Sequence, residues 1–302
     1  MNGIILPPPL KAGDKIAIIS PASIINPDYV EGAVATLCQE GWDACPMEHA
    51  LGEWGSYSGT PDDRIADITE AFTNSEYKAV MCSRGGYGMV QLLDRLPEEL
   101  FTSTPKWLIG FSDISAFHAL MSRYGIASIH ASMCKHLALH GTDDKCSRAL
   151  FDILRGAKPV YEVNAHPWNR EGEASGTLVG GNMAVLGGLV GTPYDMYSRD
   201  NAILFFEDIA EPIYKVERML YQLKLNGTLD RAKGIIVGRF TEYKGDRNHK
   251  TMEEVFRQFT SQLSCPVAYD FPVGHIDENL PLIESAPVTL SVNSSAVKLE
   301  FV

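Results

Sequence analysis

The runs KAVMCSRGGYG at residues 78–88 and WLIGFSD at 107–113 decide how this sequence is read. Each starts as a short apolar segment and ends in small or polar residues. Each is followed by apolar residues at helical spacing: Val90, Leu93 and Leu96 after the first, Ile114, Phe117 and Met121 after the second. Buried parallel strands read as continuous apolar runs, and helices return the chain to the next strand. Working outward, the same alternation recurs. Lys15–Ser20 is a strand stopped by Pro21, and Pro27 opens a helix carrying Val30, Val34 and Leu37 that ends at Gly41. Thr60-Pro61-Asp62-Asp63 joins a cap, a first-turn proline and two acids at the start of another helix, with Ile65, Ile68 and Phe72 as its stripe. Ile126–His130 resumes as strand. The expected fold class is α/β: a parallel-sheet N-terminal domain with helices on both faces, over residues 1–158.

A polar stretch with Pro159 and Pro167 then interrupts the pattern and reads as a linker over 159–176. Residues 177–302 form a second, smaller, β-rich α+β domain. Ala202–Phe206 and Gly234–Phe240 read as strands around a helix at Tyr214–Leu225 that ends at Asn226-Gly227. Another helix is expected near Glu253–Leu263, and two short strands near Val288–Val292 and Val297–Phe301.

The chain has 302 residues, with 26 Lys plus Arg against 38 Asp plus Glu, a formal charge of −12. So acidic a protein is not expected to bind nucleic acid, which needs a basic surface, and an anionic substrate would need local cations. Cys38, Cys45, Cys82, Cys134, Cys146 and Cys265 are scattered singly, the pattern of reduced thiols. The N-terminus lacks the pattern of a signal peptide, and no apolar run has the length of a membrane span. A cytoplasmic protein without membrane contact is expected.

Few residues stand out as carriers of chemistry. Ser112 ends a strand where a helix begins, so its hydroxyl is either a helix cap or an exposed nucleophile beside free N–H groups. Ile114 stands where the second glycine of GxSxG belongs. Arg84-Gly85-Gly86-Tyr87-Gly88 is either a plain turn or a loop whose amides approach a ligand beside a cationic side chain. It lacks the third glycine of a dinucleotide fingerprint, and the chain has no phosphate loop, so no cofactor is expected. Glu207 closes a strand, with Asp208 next to it, and His275 sits in a glycine-containing loop. His118 reads as a packed or surface residue. His130, Cys134, His136 and His140 lack the pattern of a zinc helix, and no metal is expected.

Together the segments resemble the LD-carboxypeptidases, serine peptidases that trim murein peptides. The resemblance rests on KIAIISPAS near the start, RGGYG at 84–88, GFSD at 110–113, GTLVGGN at 176–182, LFFEDI at 204–209, VERMLYQL at 216–223, and GH at 274–275 with LPL at 280–282. It implies a triad of Ser112, His275 and Glu207, and an oxyanion hole from the backbone N–H groups of Asp113 and Gly86. It also implies a site between the two domains, a murein peptide substrate and a homodimer. Arg84 is the candidate for the substrate's terminal carboxylate. Two departures bear on substrate detail: Ile283 replaces a glycine expected after LPL, in what reads as the loop after His275, and HASM at 130–133 replaces HGPM. The alternatives are a microcin-type immunity hydrolase that cleaves peptidyl- or aminoacyl-nucleotides, with Trp168 as a platform for the base, and a non-catalytic peptide-binding protein.

Overall fold

The computed structural model describes residues 4–302, so the first three residues of the N-terminal reading lie outside it. The strands are β1 (Lys15–Ile19), β2 (Asp43–Pro46), β3 (Tyr77–Cys82), β4 (Trp107–Gly110), β5 (Ser128–His130), β6 (Val160–Asn164) and β7 (Gly172–Asn182). They continue as β8 (Ala202–Ile209), β9 (Gly234–Thr241), β10 (Val267–Ala268), β11 (Leu282–Glu284), β12 (Pro287–Val292) and β13 (Ala296–Phe301). The chain divides into two compact units, the first reaching Ala157 and taking in Leu280–Glu284, the second holding Lys158–Asn279 and Ser285–Val302.

The first unit holds a six-stranded sheet in the order β11-β5-β4-β3-β1-β2. Every pairing is parallel except that of β11 with β5. The α/β fold follows from the apolar runs: Ile16–Ile19 and Ala79–Cys82 are fully buried, as strands covered on both faces must be. The helix Pro61–Thr73 begins where the sequence places it. Thr60 Oγ1 accepts the Asp63 N–H, and the Asp63 carboxylate accepts the Thr60 N–H, a reciprocal cap. The segment after the glycine loop departs from the expected α-helix and forms a 3-10 helix over Met89–Arg95. Its start has no side-chain cap, and it ends at Leu96, which is extended ahead of Pro97.

The second unit is a seven-stranded mixed sheet in the order β10-β9-β8-β7-β12-β13-β6. β7 to β10 run parallel, and β12, β13 and β6 are antiparallel. The polar stretch expected as a linker over 159–176 supplies β6 and the first half of β7. Its polarity is that of a one-sided antiparallel edge, where alternate residues face solvent. Ser175 and Thr289 hydroxyls, for example, meet across β7 and β12 at 2.9 Å. Ile283 is likewise no loop residue: it lies in β11 opposite Ile129, is 5% exposed, and belongs to the first sheet. No helix of the described residues is long and apolar enough to cross a membrane.

Candidate active site

In the first unit, Ser112 leaves β4 through extended Phe111 and enters a short 3-10 turn, Ser112–Ile114, that runs into the helix Ser115–Arg123. Its φ is +67°, a left-handed conformation that is costly for a residue with a Cβ, of order 1–3 kcal/mol. Strain of this kind persists only where the surroundings over-determine it. Gly110 shows how they do so, because a Cβ there would lie 2.9 Å from Ile114 Cγ2. Ile114 thus packs directly on the strand backbone, and the turn closes without the second glycine of GxSxG.

The glycine loop abuts this turn. A Cβ on Gly85 would stand 2.8 Å from Ser112 Cβ and 3.2 Å from the Asp113 nitrogen, so only glycine fits there. Three contacts hold the loop. Ser23 N–H donates to Gly85 O at 3.2 Å, Tyr87 N–H donates to Ser23 Oγ at 3.1 Å, and Met89 N–H donates to Asp113 Oδ2 at 2.9 Å. Burial raises the Asp113 carboxyl above its ordinary value, against the pull of the Met89 bond and the Arg64 charge. Arg64, 1% exposed, donates through Nη1 to Pro21 O and Gly88 O and through Nη2 to Gln91 Oε1. The Arg84 guanidinium is exposed and donates to Ile24 O at 2.7 Å.

Behind Ser112 lies His118, fully buried and bonded to Gly110 O and Ser128 Oγ, each at 2.8 Å. Burial drives its pKa down to about 3, so the ring is neutral. A carbonyl can only accept, so Nε2–H donates to Gly110 and Nδ1 accepts from Ser128. His130 packs edge-on to Phe111, with ring centroids 5.7 Å apart. The residues before Ser112 are therefore supported by two buried imidazoles.

The second unit carries a different pair. Glu207 is fully buried near the end of β8, where the register with β9 shifts between Phe206 and Asp208. His275 Nδ1 lies 2.8 Å from Glu207 Oε2. Gly274 makes this approach feasible: at φ +130°, a Cβ would meet Arg239 O at 2.9 Å and Glu207 Cβ at 3.0 Å. Asn279 Oδ1 receives the Gly274 N–H at 2.9 Å. Burial pulls the His275 pKa down, but the Glu207 bond and charge outweigh it, and the net value is raised. The acid thus holds Nδ1 as the donor and leaves Nε2 as the basic nitrogen.

Asp208 has other work. Its carboxylate accepts from Asn182 Nδ2 at 2.9 Å, Ala184 N at 2.8 Å and its neighbour Ile209 N at 2.8 Å. Burial, with the Glu207 charge next, pushes it up to about 6. Adjacent strand residues face opposite ways, which separates the two acids.

The remaining singled-out residues are engaged elsewhere. His136 meets Asp144 at 2.8 Å, His140 stacks on His136, and burial pushes the Cys134 thiol up to about 12. Arg257 lies 4.8 Å over the ring of Trp168. Reading the sequence missed the side-chain roles of Arg64, Asp113 and His118, which carry no local motif. Only the placement of His118 one helix turn beyond Ile114 hinted at a return toward the strand.

The family model of the LD-carboxypeptidase N-terminal domain matches residues 16–131, and that of the C-terminal domain matches 175–290. The chain is 30% identical over 277 residues to the murein tetrapeptide carboxypeptidase of Pseudomonas aeruginosa PAO1, covering 88% of this chain and 89% of that one. Its structure is similar to that of muramoyltetrapeptide carboxypeptidase from Oxalobacter formigenes, with a TM-score of 0.86 and 28% identity over 95% of this chain and 98% of that chain. It also matches the microcin C7 self-immunity protein MccF in complex with aspartyl sulfamoyl adenosine, with a TM-score of 0.86 and 98% of each chain covered; at 21% identity that likeness is one of fold. The chain belongs to the LD-carboxypeptidase family of serine peptidases.

Proposed function

We propose that this serine carboxypeptidase releases the C-terminal residue of murein tetrapeptides by cleaving an L,D-peptide bond, with Ser112, His275 and Glu207 as its triad. The observation that carries the reading is the left-handed Ser112 at a strand-to-helix turn, in a chain that also aims a buried carboxylate at His275 Nδ1. In this reading Ser112 Oγ attacks the scissile carbonyl while His275 Nε2 takes its proton, and Glu207 stabilises the imidazolium. The amides of Asp113 and Gly86 hold the oxyanion. His275 then protonates the leaving amine, the terminal amino acid departs, and water deprotonated by the same imidazole hydrolyses the acyl-enzyme. Arg84 takes the terminal carboxylate of the substrate. Murein as substrate, a cytoplasmic setting and a homodimer are parts of this proposal supported by family membership and by the names of the relatives.

Two measurements test it. Incubation with a murein tetrapeptide should yield the tripeptide and one free amino acid by mass spectrometry. Ser112→Ala should lower turnover by at least about 10⁴-fold with the fold retained, and should abolish labelling by a fluorophosphonate. Turnover near the wild-type rate in Ser112→Ala would remove Ser112 from the mechanism. Cleavage of an aminoacyl-nucleotide in preference to the tetrapeptide would favour the immunity-type hydrolase.

A further inference from the structure

The helix Ile213–Leu225 of the second unit has two apolar faces, and the fold of the chain covers one of them. Ile213, Val216, Leu220 and Leu223 are buried. On the opposite side stand Tyr214, Arg218, Tyr221 and Leu225, spaced four, three and four residues apart. At 3.6 residues per turn they lie within a stripe about 60° wide. Tyr214 is 54%, Tyr221 47% and Leu225 83% exposed. A surface helix ordinarily keeps polar residues on its outer side, whereas this spacing is that of a coiled-coil seam.

The stripe is held in place by its neighbours. The Arg218 guanidinium lies 5.6 Å from the Tyr214 ring centre. Tyr221 meets Phe259 edge-on with centroids 4.8 Å apart, and Lys224 Nζ lies 5.9 Å from the same ring. Phe259 belongs to the helix Met252–Thr260, which packs alongside. Glu217 and Lys224 run along one flank of the stripe, Lys215 and Gln222 along the other. Lys215 already has an acid in its own chain, Glu211 at 3.5 Å. Among the described residues no ion pair engages Glu217 or Lys224, and two helical turns keep them from each other.

The order of these residues selects the occupant. A spacing of four, three and four reads the same from either end, so a twofold axis crossing the helix between Met219 and Leu220 lays the stripe on a copy of itself. Tyr214 then faces the partner's Leu225, and Arg218 faces the ring of the partner's Tyr221, a favourable cation–π geometry. The same axis brings Glu217 beside the partner's Lys224 and Lys224 beside the partner's Glu217, two symmetric ion pairs on one flank. A parallel pairing would instead set Arg218 against the partner's Arg218. Taking up the homodimer of the reading above, we propose that the outer face of Ile213–Leu225 is the interface between two copies of this chain, the two helices lying antiparallel. The helix is about 20 Å long, so this seam falls in the class of small interfaces below about 1,200 Å², and the dimer dissociates on the order of 10 µM.

Sedimentation equilibrium of the full chain between about 1 and 200 µM tests the pairing. Wild type should pass from monomer to dimer across that range. Glu217→Lys and Lys224→Glu each set like charges against each other across the axis and should weaken the dimer at least about tenfold. An equal mixture of the two single variants should restore it, because each then meets an opposite charge, and so should the double variant Glu217→Lys/Lys224→Glu. Leu225→Ser, at a side chain that the fold does not bury, should weaken it as well. A wild type that stays monomeric at 200 µM overturns the interface and the homodimer together, and leaves the face to a different partner. A dimer that both charge reversals leave intact overturns the interface alone. Single variants that weaken the dimer without recovery in the mixture also overturn it, since only the antiparallel pairing predicts that recovery. The readout is molecular mass, so each outcome stands whether or not the protein cleaves a murein tetrapeptide, which is measured separately.

Discussion

The surroundings of Ser112 and those of Glu207 and His275 are built in opposite ways. Around Ser112 the chain is local: strand, turn and helix are contiguous, and the glycine loop leaves the neighbouring strand β3. The chemistry there depends on backbone, on a left-handed φ and on glycines that let main chains touch. Around Glu207 the geometry depends on side chains. Two residues 68 positions apart meet through one hydrogen bond, and a register shift and a glycine at φ +130° allow it. A backbone-built site should tolerate surface changes and fail when its packing fails. A side-chain-built pair should fail by chemistry, with the fold intact.

The largest effect that would sharpen this contrast is expected at Glu207. Glu207→Gln keeps the shape but presents the wrong donor pattern to His275 Nδ1, and turnover should fall by about 10⁴-fold, as for the equivalent change in a serine protease triad. The pH profile gives an independent readout. His275 must be neutral to act as base, and its raised pKa puts the acid limb of kcat/KM above the ordinary 6.5. Without the carboxylate, burial dominates, and the residual activity of Glu207→Gln should show its acid limb below that value. The imidazolium–carboxylate pair also stabilises the fold fully below about pH 6.5, and this contribution is lost as pH rises through the folded pKa of His275. An acid limb that does not move would place the acid elsewhere.

A smaller effect is expected behind the nucleophile. His118→Phe leaves Gly110 O with only the Ala131 amide and leaves Ser128 Oγ buried without the imidazole acceptor. Stability should drop by about 1–3 kcal/mol. If His118 holds the Ser112 turn, fluorophosphonate labelling of the folded protein should also slow by roughly 10- to 100-fold, while His118→Gln, which keeps a donor, should recover part of it. Normal labelling in a destabilised His118→Phe would make this imidazole a core residue only.

The smallest effect on turnover should come from Asp208→Asn. Its carboxylate serves three donors, and an amide replaces one acceptor by a second donor, so a loss of about 1–3 kcal/mol is expected, with turnover of the folded protein within about threefold of wild type. Because the folded pKa of Asp208 is about 6 against an ordinary 3.8, wild-type stability should decline from this group as pH rises between those values. Asp208→Asn should flatten that decline in denaturant titrations. A collapse of turnover as deep as that of Glu207→Gln would erase the distinction between the two neighbouring acids.

How far the sequence alone reached follows the same division. Contiguous features were legible. The buried runs of β1, β3 and β4, the Thr60 cap and the strand–Ser–helix turn all express themselves within a few residues, where periodicity and capping chemistry act. The order of short segments such as RGGYG, GFSD and LFFEDI was enough to point to the family and to name Ser112, Glu207 and His275 as candidates. What polarity and length obscure was not legible. Residues 160–164 and 172–176 read as a linker because a one-sided edge strand is as polar as a loop. Ile283 read as a loop residue because three residues carry no period, and only pairing with β5 makes them a strand. Which of two adjacent acids meets His275, why Ser112 needs no second glycine, and what Arg64, Asp113 and His118 hold were decided by tertiary structure. Those are contacts between residues far apart in the chain, and local spacing carries no information about a partner that only folding brings near.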